Sequence, residues 1–571
     1  MTEHAPPLAS KPADSGDSRR ELVFGFVSPI GCNRDVVEDA LRVALCSVEY
    51  AVETIHVSDL LQPFAPKENP TPHVPEFLTR KKLLMDAGDR MRQEFSAFVG
   101  REPRGDAAAL AAVFTIREKR LEKNGSDNVP ADAENRMRLT STPLVSTAFL
   151  VNSLKHPDEL RLLKRIYGPA FISIGIYVPP EMRKSFLLEE ADVDESEHDV
   201  ALFADKLLAR DENGQDDEGN IVPLGQDTSD AFYTTDFIVD ATKPKHEVVA
   251  QLTRLVELIF GDLCLAPSRE ELGMFIAHAA QVRSGSLARQ IGASILRDDG
   301  SVVSVGTNEV ARPISGGQYW FEDDHLYAGR DAVYQPRDTS DEFREEMVAD
   351  LLWRLDEAGA LAEKFSVRKS ADELSETTAE QLRKHRLETL YFNENAPLRK
   401  AVLRNNLDYV RTVHAEGAAI IDAARHGVPT WRATMFTTTF PCHECARHIV
   451  AAGIKEVVYL APYPKSAVKR LYRDSIQVDP RHHDERKVLF RTFVGVAPSR
   501  YLEFFTAVRE RKSFKGYREK FDLRKESPHL PYYTPDAKAA ASNNEPLELS
   551  PFIKFLEHRS DNPTPPPTPP S

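Results

Sequence analysis

The chain has 571 residues, of which 41% are hydrophobic and 28% charged, and its formal net charge is −15. This length suggests about two or three domains, and the lack of an apolar run of about 18 residues argues against a membrane span. The acidic balance argues against a protein that holds polynucleotides, because such proteins use basic grooves to neutralise phosphates. The few scattered cysteines do not make a disulfide framework, so we expect a reducing, cytoplasmic environment.

The composition of successive segments predicts an α/β protein with four parts. Residues 1–20 are rich in Pro, Ser and charge and lack the apolar core of a secretory signal, so we expect a disordered tail. Residues 21–245 are expected to form a parallel-sheet domain. Residues 246–535 are expected to form a second α/β domain with a helical insertion at about 325–410. Residues 536–571 end in a proline-rich tract, which is either a solvated tail or a ligand for a proline-recognition module.

A strand, a glycine-bearing turn and a helix open the first domain. Leu22–Val27 has the pattern of a buried strand, Ser28–Arg34 forms the turn, and Val36–Val48 is an apolar helix. This is the layout of a phosphate-binding loop with Gly25 and Gly31 as its glycines. The glycines are one residue too far apart for the Walker A pattern, and no lysine follows the second. Nucleotide binding and an ordinary turn both fit the sequence, and efficient phosphoryl transfer is not expected.

Three further apolar runs predict strands of the same sheet. They are Thr147–Val151, Phe171–Val178 and Phe237–Val239, and a helix at Asp158–Tyr167 lies between the first two. Strands that are apolar along their whole length and alternate with helices indicate a parallel sheet. A helix at Lys245–Phe260 is expected to lead to the next domain.

A hairpin begins the β-structure of the second domain. Ile291–Leu296 and Val302–Gly306 are predicted strands, and the Asp-Gly pair between them is a strong turn signal. After the insertion, His414–Arg425 predicts a helix, and Ala433–Thr439 and Val457–Leu460 predict strands. This order of elements indicates a compact α/β sandwich.

The insertion is predicted to be helical. Phe343, Met347, Leu351 and Leu355 recur every four residues and therefore share one face of a helix. Two roles for the insertion stay open, namely formation of a homo-oligomer and packing against the parent domain.

The clearest chemical signal is the pattern H-x-E…P-C-x-x-C, formed by His414, Glu416, Pro441, Cys442 and Cys445. One His and two Cys fill three positions of a tetrahedral zinc ion and leave the fourth for water. The cysteine spacing places both thiolates on one side of a helix start, and Pro441 suits the first helical turn. Glu416 lies near the metal without having to ligate it, where a proton shuttle belongs. The pattern is the signature of zinc-dependent nucleobase deaminases.

The cysteine pair has other interpretations. Alone, it would also suit a redox-active dithiol, or a structural zinc site in which His443 or His448 joins His414. The presence of Glu416 favours the catalytic interpretation, because a structural site has no need of a proton shuttle.

The region from about 270 to 500 resembles the cytidine and deoxycytidylate deaminase superfamily. Three stretches resemble its deoxycytidylate branch, namely Arg289–Ala293, Gly306–Asn308 and Pro462–Ser466. With a P-loop kinase-like domain before the deaminase-type α/β/α domain, the chain resembles the bacterial anti-phage dCTP deaminases throughout, apart from its tails.

This resemblance implies a set of site residues. It implies a zinc ion (Zn²⁺) on His414, Cys442 and Cys445, with Glu416 as the proton donor. It also implies that Asn308 contacts the deoxyribose or the pyrimidine, and the alternative is an asparagine that only forms a turn. Phosphate contacts by basic side chains are less distinctive, since isolated basic residues usually lie at the surface. The candidates are Arg289, Arg312 and Lys465.

The resemblance further implies hydrolytic deamination of free deoxycytidine nucleotides, dCTP or dCMP, which depletes the dCTP that a replicating phage needs. Some members are held inactive by a small RNA, and we add the hypothesis that a nucleotide effector binds the first domain. Two other interpretations stay open. They are a polynucleotide cytidine or adenosine deaminase, and a zinc-containing regulatory protein with a silent site.

Overall fold

The fold is that of a computed structural model of the chain. The chain divides into two compact units, a first unit of Met1–Glu271 with Val494–Ser571, and a second unit of Leu272–Phe493. The structure describes residues 19–66, 74–100, 103–125, 132–193, 198–214, 222–312, 317, 320, 330, 337–366, 376–393, 396–401, 403, 409–463, 466–507, 510–528 and 544–561.

The first unit is built on a six-stranded sheet in the order β2-β3-β1-β4-β5-β12. All neighbours are parallel except β12, which runs antiparallel to β5. With strands numbered in chain order, they are β1 (Leu22–Val27), β2 (Ala51–His56), β3 (Thr147–Leu154), β4 (Phe171–Tyr177), β5 (Phe237–Asp240) and β12 (Gly495–Val496). The parallel sheet expected from the apolar runs is therefore confirmed.

The helices of the first unit follow or precede these strands, as an α/β order requires. They are Arg34–Ser47, Val57–Leu61, Glu76–Val99, Ala107–Asn124, Ala133–Thr140, Pro157–Tyr167, Pro180–Glu190, His198–Asn213, Thr228–Tyr233, Lys245–Ile259, Tyr501–Phe505 and Glu545–Asp561. The two long helices that follow residue 75 were not predicted from the sequence. Strand β1 is central and wholly buried, and its carboxyl end leads into the helix Arg34–Ser47.

The helix Lys245–Ile259 belongs to the first unit and does not lead out of it. Val248 and Leu252 are fully buried in a core that also contains Leu41 and Leu45. The first unit therefore continues to Glu271 instead of ending near residue 245. An amphipathic pattern shows that a helix buries one face, but it does not show against which domain.

The segment 536–571, expected to be a tail, contains a helix of the first unit, Glu545–Asp561. Phe555 is 4% exposed, and Glu545 is fully buried and accepts a hydrogen bond from Arg120 at 2.8 Å. A buried charge is costly unless it is paired, so this pair fixes the start of the helix. The polyproline tract itself, like residues 1–18, lies outside the described residues.

The second unit has a six-stranded sheet in the order β10-β11-β9-β8-β6-β7. The hairpin β6–β7 and the pair β6–β8 are antiparallel, and the other neighbours are parallel. The strands are β6 (Gly292–Leu296), β7 (Val302–Thr307), β8 (Thr434–Thr439), β9 (Glu456–Ala461), β10 (Ile476–Val478) and β11 (Val488–Thr492). The predicted hairpin is therefore confirmed.

Helices cover both faces of this sheet. Ile295 of β6 shares a core with Ala419, whereas its neighbour Ser294 donates a hydrogen bond to the carbonyl oxygen of Gly273. Successive residues of a strand point to opposite faces, so the unit is an α/β/α sandwich. Its helices are Arg269–Gln281 (which begins in the first unit), Thr339–Glu357, Glu376–Leu387, Ala415–Arg425, His443–Ala451 and Val468–Leu471.

The insertion contains the predicted helix, but a different face is buried. Val348 and Leu352 pack with Tyr391 in a small separate cluster, while Phe343 and Leu351 are 44% and 45% exposed. The four-residue repeat identified the helix and not its buried side. Among the described helices of the chain, none is long and apolar enough to cross a membrane.

Candidate active site

Strand β7 and the segment after it fix where the helix Ala415–Arg425 begins. A Cβ on Gly306 would lie 2.1 Å from the carbonyl oxygen of the first helical residue, so only glycine permits this close approach. Beyond the strand, Glu309 and Val413 form a short antiparallel bridge. His414 follows Val413 and is the N-cap of the helix, so the bridge positions its imidazole.

The helix His443–Ala451 supplies two thiols. Cys442 is its N-cap, and the Sγ atom of Cys442 accepts a hydrogen bond from the backbone N–H of Cys445 at 3.4 Å. Pro441 lies before the helix and not in its first turn as predicted, because Cys442 takes the capping position. The predicted placement of both thiols at one helix start is nevertheless confirmed.

The three predicted ligands converge. Nδ1 of His414 lies 3.2 Å from Sγ of Cys442 and 3.4 Å from Sγ of Cys445, and all three atoms lie within 4.8 Å of one another. A tetrahedral zinc ion with bonds of about 2.0–2.3 Å separates its ligand atoms by about 3.4–3.8 Å, so this set fits zinc. Among the described residues no other group of three such side chains is positioned to hold a metal, and neither His443 nor His448 joins this one.

Glu416 lies beside the ligands without being one of them. It is in the first helical turn after His414 and is 4% exposed. Burial raises the pKa of Glu416 to about 7, and the negative charge of Cys442 adds to this effect. Hydrogen bonding with Cys445 lowers the pKa of the Cys442 thiol to about 4. The site thus brings one buried carboxyl together with three metal-binding side chains.

Asn308 holds the backbone that leads into β6. Its Nδ2 donates to the carbonyl oxygen of Arg289 at 2.7 Å, and its Oδ1 accepts from the N–H of Ile291 at 2.6 Å. The side chain is 4% exposed, so it does more than form a turn. Each amide atom retains capacity for a further hydrogen bond, and contact with a substrate stays a prediction.

The predicted phosphate contacts have different surroundings. Arg289 is exposed, and its positive charge and the negative charge of Cys442 both act on Tyr463, whose pKa is raised chiefly by burial. Arg289 and Cys442 therefore both lie near Tyr463. The Arg312 guanidinium lies over the ring of Trp320 at 5.8 Å. Lys465 lies outside the described residues, and phosphate binding by all three stays a prediction.

Gly25 and Gly31, in the first unit, both have structural reasons to be glycine. A Cβ on Gly25 would lie 2.6 Å from Cδ1 of Leu154. Gly31 has a φ of +82°, and a Cβ there would lie 2.4 Å from the carbonyl oxygen of Arg183. Nucleotide binding by these two glycines stays a prediction.

Sequence reasoning missed an ion pair that supports the metal site. Glu309 is fully buried, and its carboxylate accepts from the N–H of Gly285 at 2.7 Å and from Arg330 at 2.6 and 2.9 Å. Because Glu309 also bridges to Val413, the pair stabilises the segment before His414. The one feature of the sequence that pointed to Glu309 was its position next to Asn308.

Comparison with known proteins places these residues in a family region. A profile for the cytidine and deoxycytidylate deaminase zinc-binding region matches residues 267–461. The ComE operon protein 2 of Bacillus subtilis (strain 168) is 45% identical over 53 residues, 9% of this chain and 28% of that protein. The deoxycytidylate deaminase of Enterobacteria phage T4 is 46% identical over 54 residues, 10% of this chain and 28% of that protein.

A third relative, the probable deoxycytidylate deaminase of Drosophila melanogaster, is 37% identical over 100 residues, 16% of this chain and 47% of that protein. The chain thus spans less than half the length of these three curated relatives. Residues 267–461 form a cytidine and deoxycytidylate deaminase zinc-binding region. The predicted zinc cofactor is confirmed, with His414, Cys442 and Cys445 as the group that holds it.

Proposed function

We propose that the second unit catalyses the hydrolytic deamination of free deoxycytidine nucleotides, converting dCTP to dUTP, dCMP to dUMP, or both. The observation that carries this proposal is the convergence of three zinc ligands beside the buried carboxyl of Glu416. A structural zinc site uses four protein ligands, whereas a catalytic site uses three and keeps one position open. The site found here has the composition of a catalytic one.

A zinc ion on these ligands would supply Lewis acidity, which makes water nucleophilic at neutral pH. Glu416 takes a proton from the attacking water and delivers it to the ring nitrogen of cytosine. After attack at C4, the same carboxyl passes a second proton from the added oxygen to the amine, which departs as ammonia. The carboxylate ends each turnover as it began, and the reaction consumes one water for each ammonia released.

Three observations support a free nucleotide as the substrate. The net charge of −15 is unfavourable for a polynucleotide, since strand binding depends on basic surfaces. Arg289 is an exposed cation that acts on Tyr463, as does the charge of Cys442, so it is a candidate for a phosphate contact. Two of the relatives named above are, by their names, deoxycytidylate deaminases.

The wider role that we propose is depletion of dCTP as a defence against phage, in the cytoplasm. It rests on the resemblance of the whole chain to anti-phage dCTP deaminases. Inhibition by a small RNA is a further prediction from the same source, and self-association is a prediction from the helical insertion. Measurement of cellular dCTP after infection, with and without the Glu416→Gln variant, would test the defensive role.

The substrate is tested by a product assay. Zinc-loaded protein is supplied with dCTP, dCMP, CTP and a cytosine-containing single-stranded oligonucleotide, and the Glu416→Gln variant serves as control. We expect uracil products from dCTP or dCMP alone. Uracil in the oligonucleotide would identify a polynucleotide deaminase instead, and no product from any substrate would favour a regulatory protein with a silent site.

A further inference from the structure

The first unit contains a cavity of about 390 Å³ at the carboxyl ends of β1 and β3. Ligands of parallel α/β sheets bind at this edge, and small-molecule sites commonly have volumes of about 300–1,000 Å³. Ser28 and Gly31 line the cavity after β1, and Ser153 and Lys155 line it at the end of β3. The cavity therefore lies at the turn that resembles a phosphate-binding loop.

The turn itself is occupied by a carboxylate of the protein. Oδ2 of Asp211 accepts from the N–H of Ile30 at 2.9 Å, and its Oδ1 accepts from Nζ of Lys155 at 2.8 Å. Nζ of Lys155 also donates to the carbonyl oxygen of Ser28 at 2.6 Å. Asp211 is fully buried, so it takes an amide and an ammonium that a phosphate would otherwise take. Any anion in this cavity must therefore be held by other groups.

Three other cations line the same cavity, namely Arg34, Arg80 and Lys81. Arg34 donates to the hydroxyl of Ser153 at 2.8 Å and has one acidic neighbour, the exposed Asp35, at 3.4 Å. Among the described residues, neither Arg80 nor Lys81 forms an ion pair. Burial lowers the pKa of Lys81, and the charges of Lys155, Arg34 and Arg80 lower it further. The lining thus contains four cations, Lys155 included, and three carboxylates, namely Asp35, Glu190 and Asp211, so a net positive charge remains that favours an anionic ligand.

The cavity also has a part suited to an uncharged group. Gln226 is 5% exposed and lines the cavity, and its Oε1 has no hydrogen-bond partner among the described residues. A buried polar atom without a partner is costly, so a ligand that pairs with it gains affinity. Phe77, Leu84 and Phe186 add apolar and aromatic surface, and Nζ of Lys81 lies over the ring of Phe77 at 5.0 Å. An amide next to aromatic surface suits a nucleobase, which stacks and forms hydrogen bonds at its edge.

We propose that this cavity binds a nucleoside polyphosphate, with its phosphates on Arg34, Arg80 and Lys81 and its base between Phe186 and Gln226. The site differs from a Walker A loop, because the cations come from the helix starts of Arg34–Ser47 and Glu76–Val99 and not from the loop itself. The Cys32 thiol in the same cavity has its pKa raised to about 12 by burial. The proposal does not depend on the deaminase activity of the second unit.

Calorimetric titration of the full-length, zinc-loaded protein with ATP, and separately with inorganic tripolyphosphate, tests this site. Two variants are compared, the double variant Arg80→Ala with Lys81→Ala and the control Lys82→Ala. Lys82 is the next residue of the same helix and does not line the cavity. We expect ATP to bind the wild-type and control proteins, and to bind the double variant at least about tenfold more weakly, because two charge-assisted contacts are lost.

Two results would overturn the proposal. One is absence of ATP binding to the wild-type protein, and the other is equal affinity for ATP in the double variant. Equal affinities for ATP and tripolyphosphate would overturn the assignment of a base-binding part. If the base-binding part is assigned correctly, Gln226→Leu should weaken binding of ATP and leave binding of tripolyphosphate unchanged. If the two affinities are equal, the same substitution should change neither. A thermal unfolding transition of the double variant that matches that of the wild-type protein shows that the chain is folded.

Discussion

Both units place a helix start at the carboxyl end of a parallel strand, but the side chains there give the two positions different chemistry. In the first unit, Asp211 and Lys155 satisfy the turn after β1 from within the protein. In the second unit, the sulfurs of Cys442 and Cys445 converge with an imidazole into a set that fits zinc. The same local topology thus produces a turn stabilised by a buried ion pair in one unit and a metal centre in the other.

The largest expected effect comes from loss of one zinc ligand. Cys445→Ser should remove bound zinc and lower turnover of deoxycytidine nucleotides by at least about a thousandfold, because the Lewis acid is lost. Metal content and turnover are measured on the same preparation. Cys264→Ser, at an exposed cysteine, is the control and should keep both. Normal turnover of a variant without bound zinc would show that catalysis does not need a metal at the second helix start.

The next effect tests whether the buried ion pair of Asp211 and Lys155 stabilises the turn after β1. Asp211→Asn should lower the free energy of opening of β1 by about 3 kcal/mol, because Lys155 loses its buried counter-charge. Hydrogen exchange of the β1 amides measures this free energy. Asp205, on the same helix, pairs with Lys184 at the surface, so Asp205→Asn should change it by less than about 1 kcal/mol. Equal effects of the two substitutions would show that the turn does not depend on Asp211.

A smaller effect is expected at Asn308. Asn308→Ala should lower the free energy of opening of β6 by about 2 kcal/mol, because the N–H of Ile291 and the carbonyl of Arg289 lose their buried partner. Asn308→Asp keeps the acceptor but buries a carboxylate against the carbonyl oxygen of Arg289, so its effect should be at least as large as that of alanine. Exchange of the β6 amides gives the stability, and the KM for dCMP reports any contact with substrate. An unchanged β6 together with a raised KM would assign Asn308 to the substrate alone.

The metal centre could be predicted from sequence because its parts are local. Cys442 and Cys445 are close in the chain, and Glu416 follows His414 by two positions, so spacing alone relates them. The fold class was equally accessible, since apolar runs that alternate with helices indicate a parallel sheet. These features depend on period and spacing, which a single sequence contains.

Contacts between distant parts of the chain could not be predicted in this way. Asp211 reaches Ile30 across 181 positions, and Glu545 reaches Arg120 across 425. No local pattern links such residues, because each depends on how the elements pack. The limit of the first unit differed from the expectation for the same reason, since the helix Lys245–Ile259 shows an apolar face but not its partner.

The central claim is that Glu416 moves the protons of a zinc-dependent deamination, and Glu416→Gln tests it most directly. The substitution keeps the size of the side chain and removes its ability to exchange a proton. Zinc content and deamination of dCTP and dCMP are measured together for the variant and the wild-type protein. We predict unchanged zinc content and turnover lowered by about 10²- to 10⁴-fold. Retained turnover in the zinc-loaded variant would contradict the proposed mechanism.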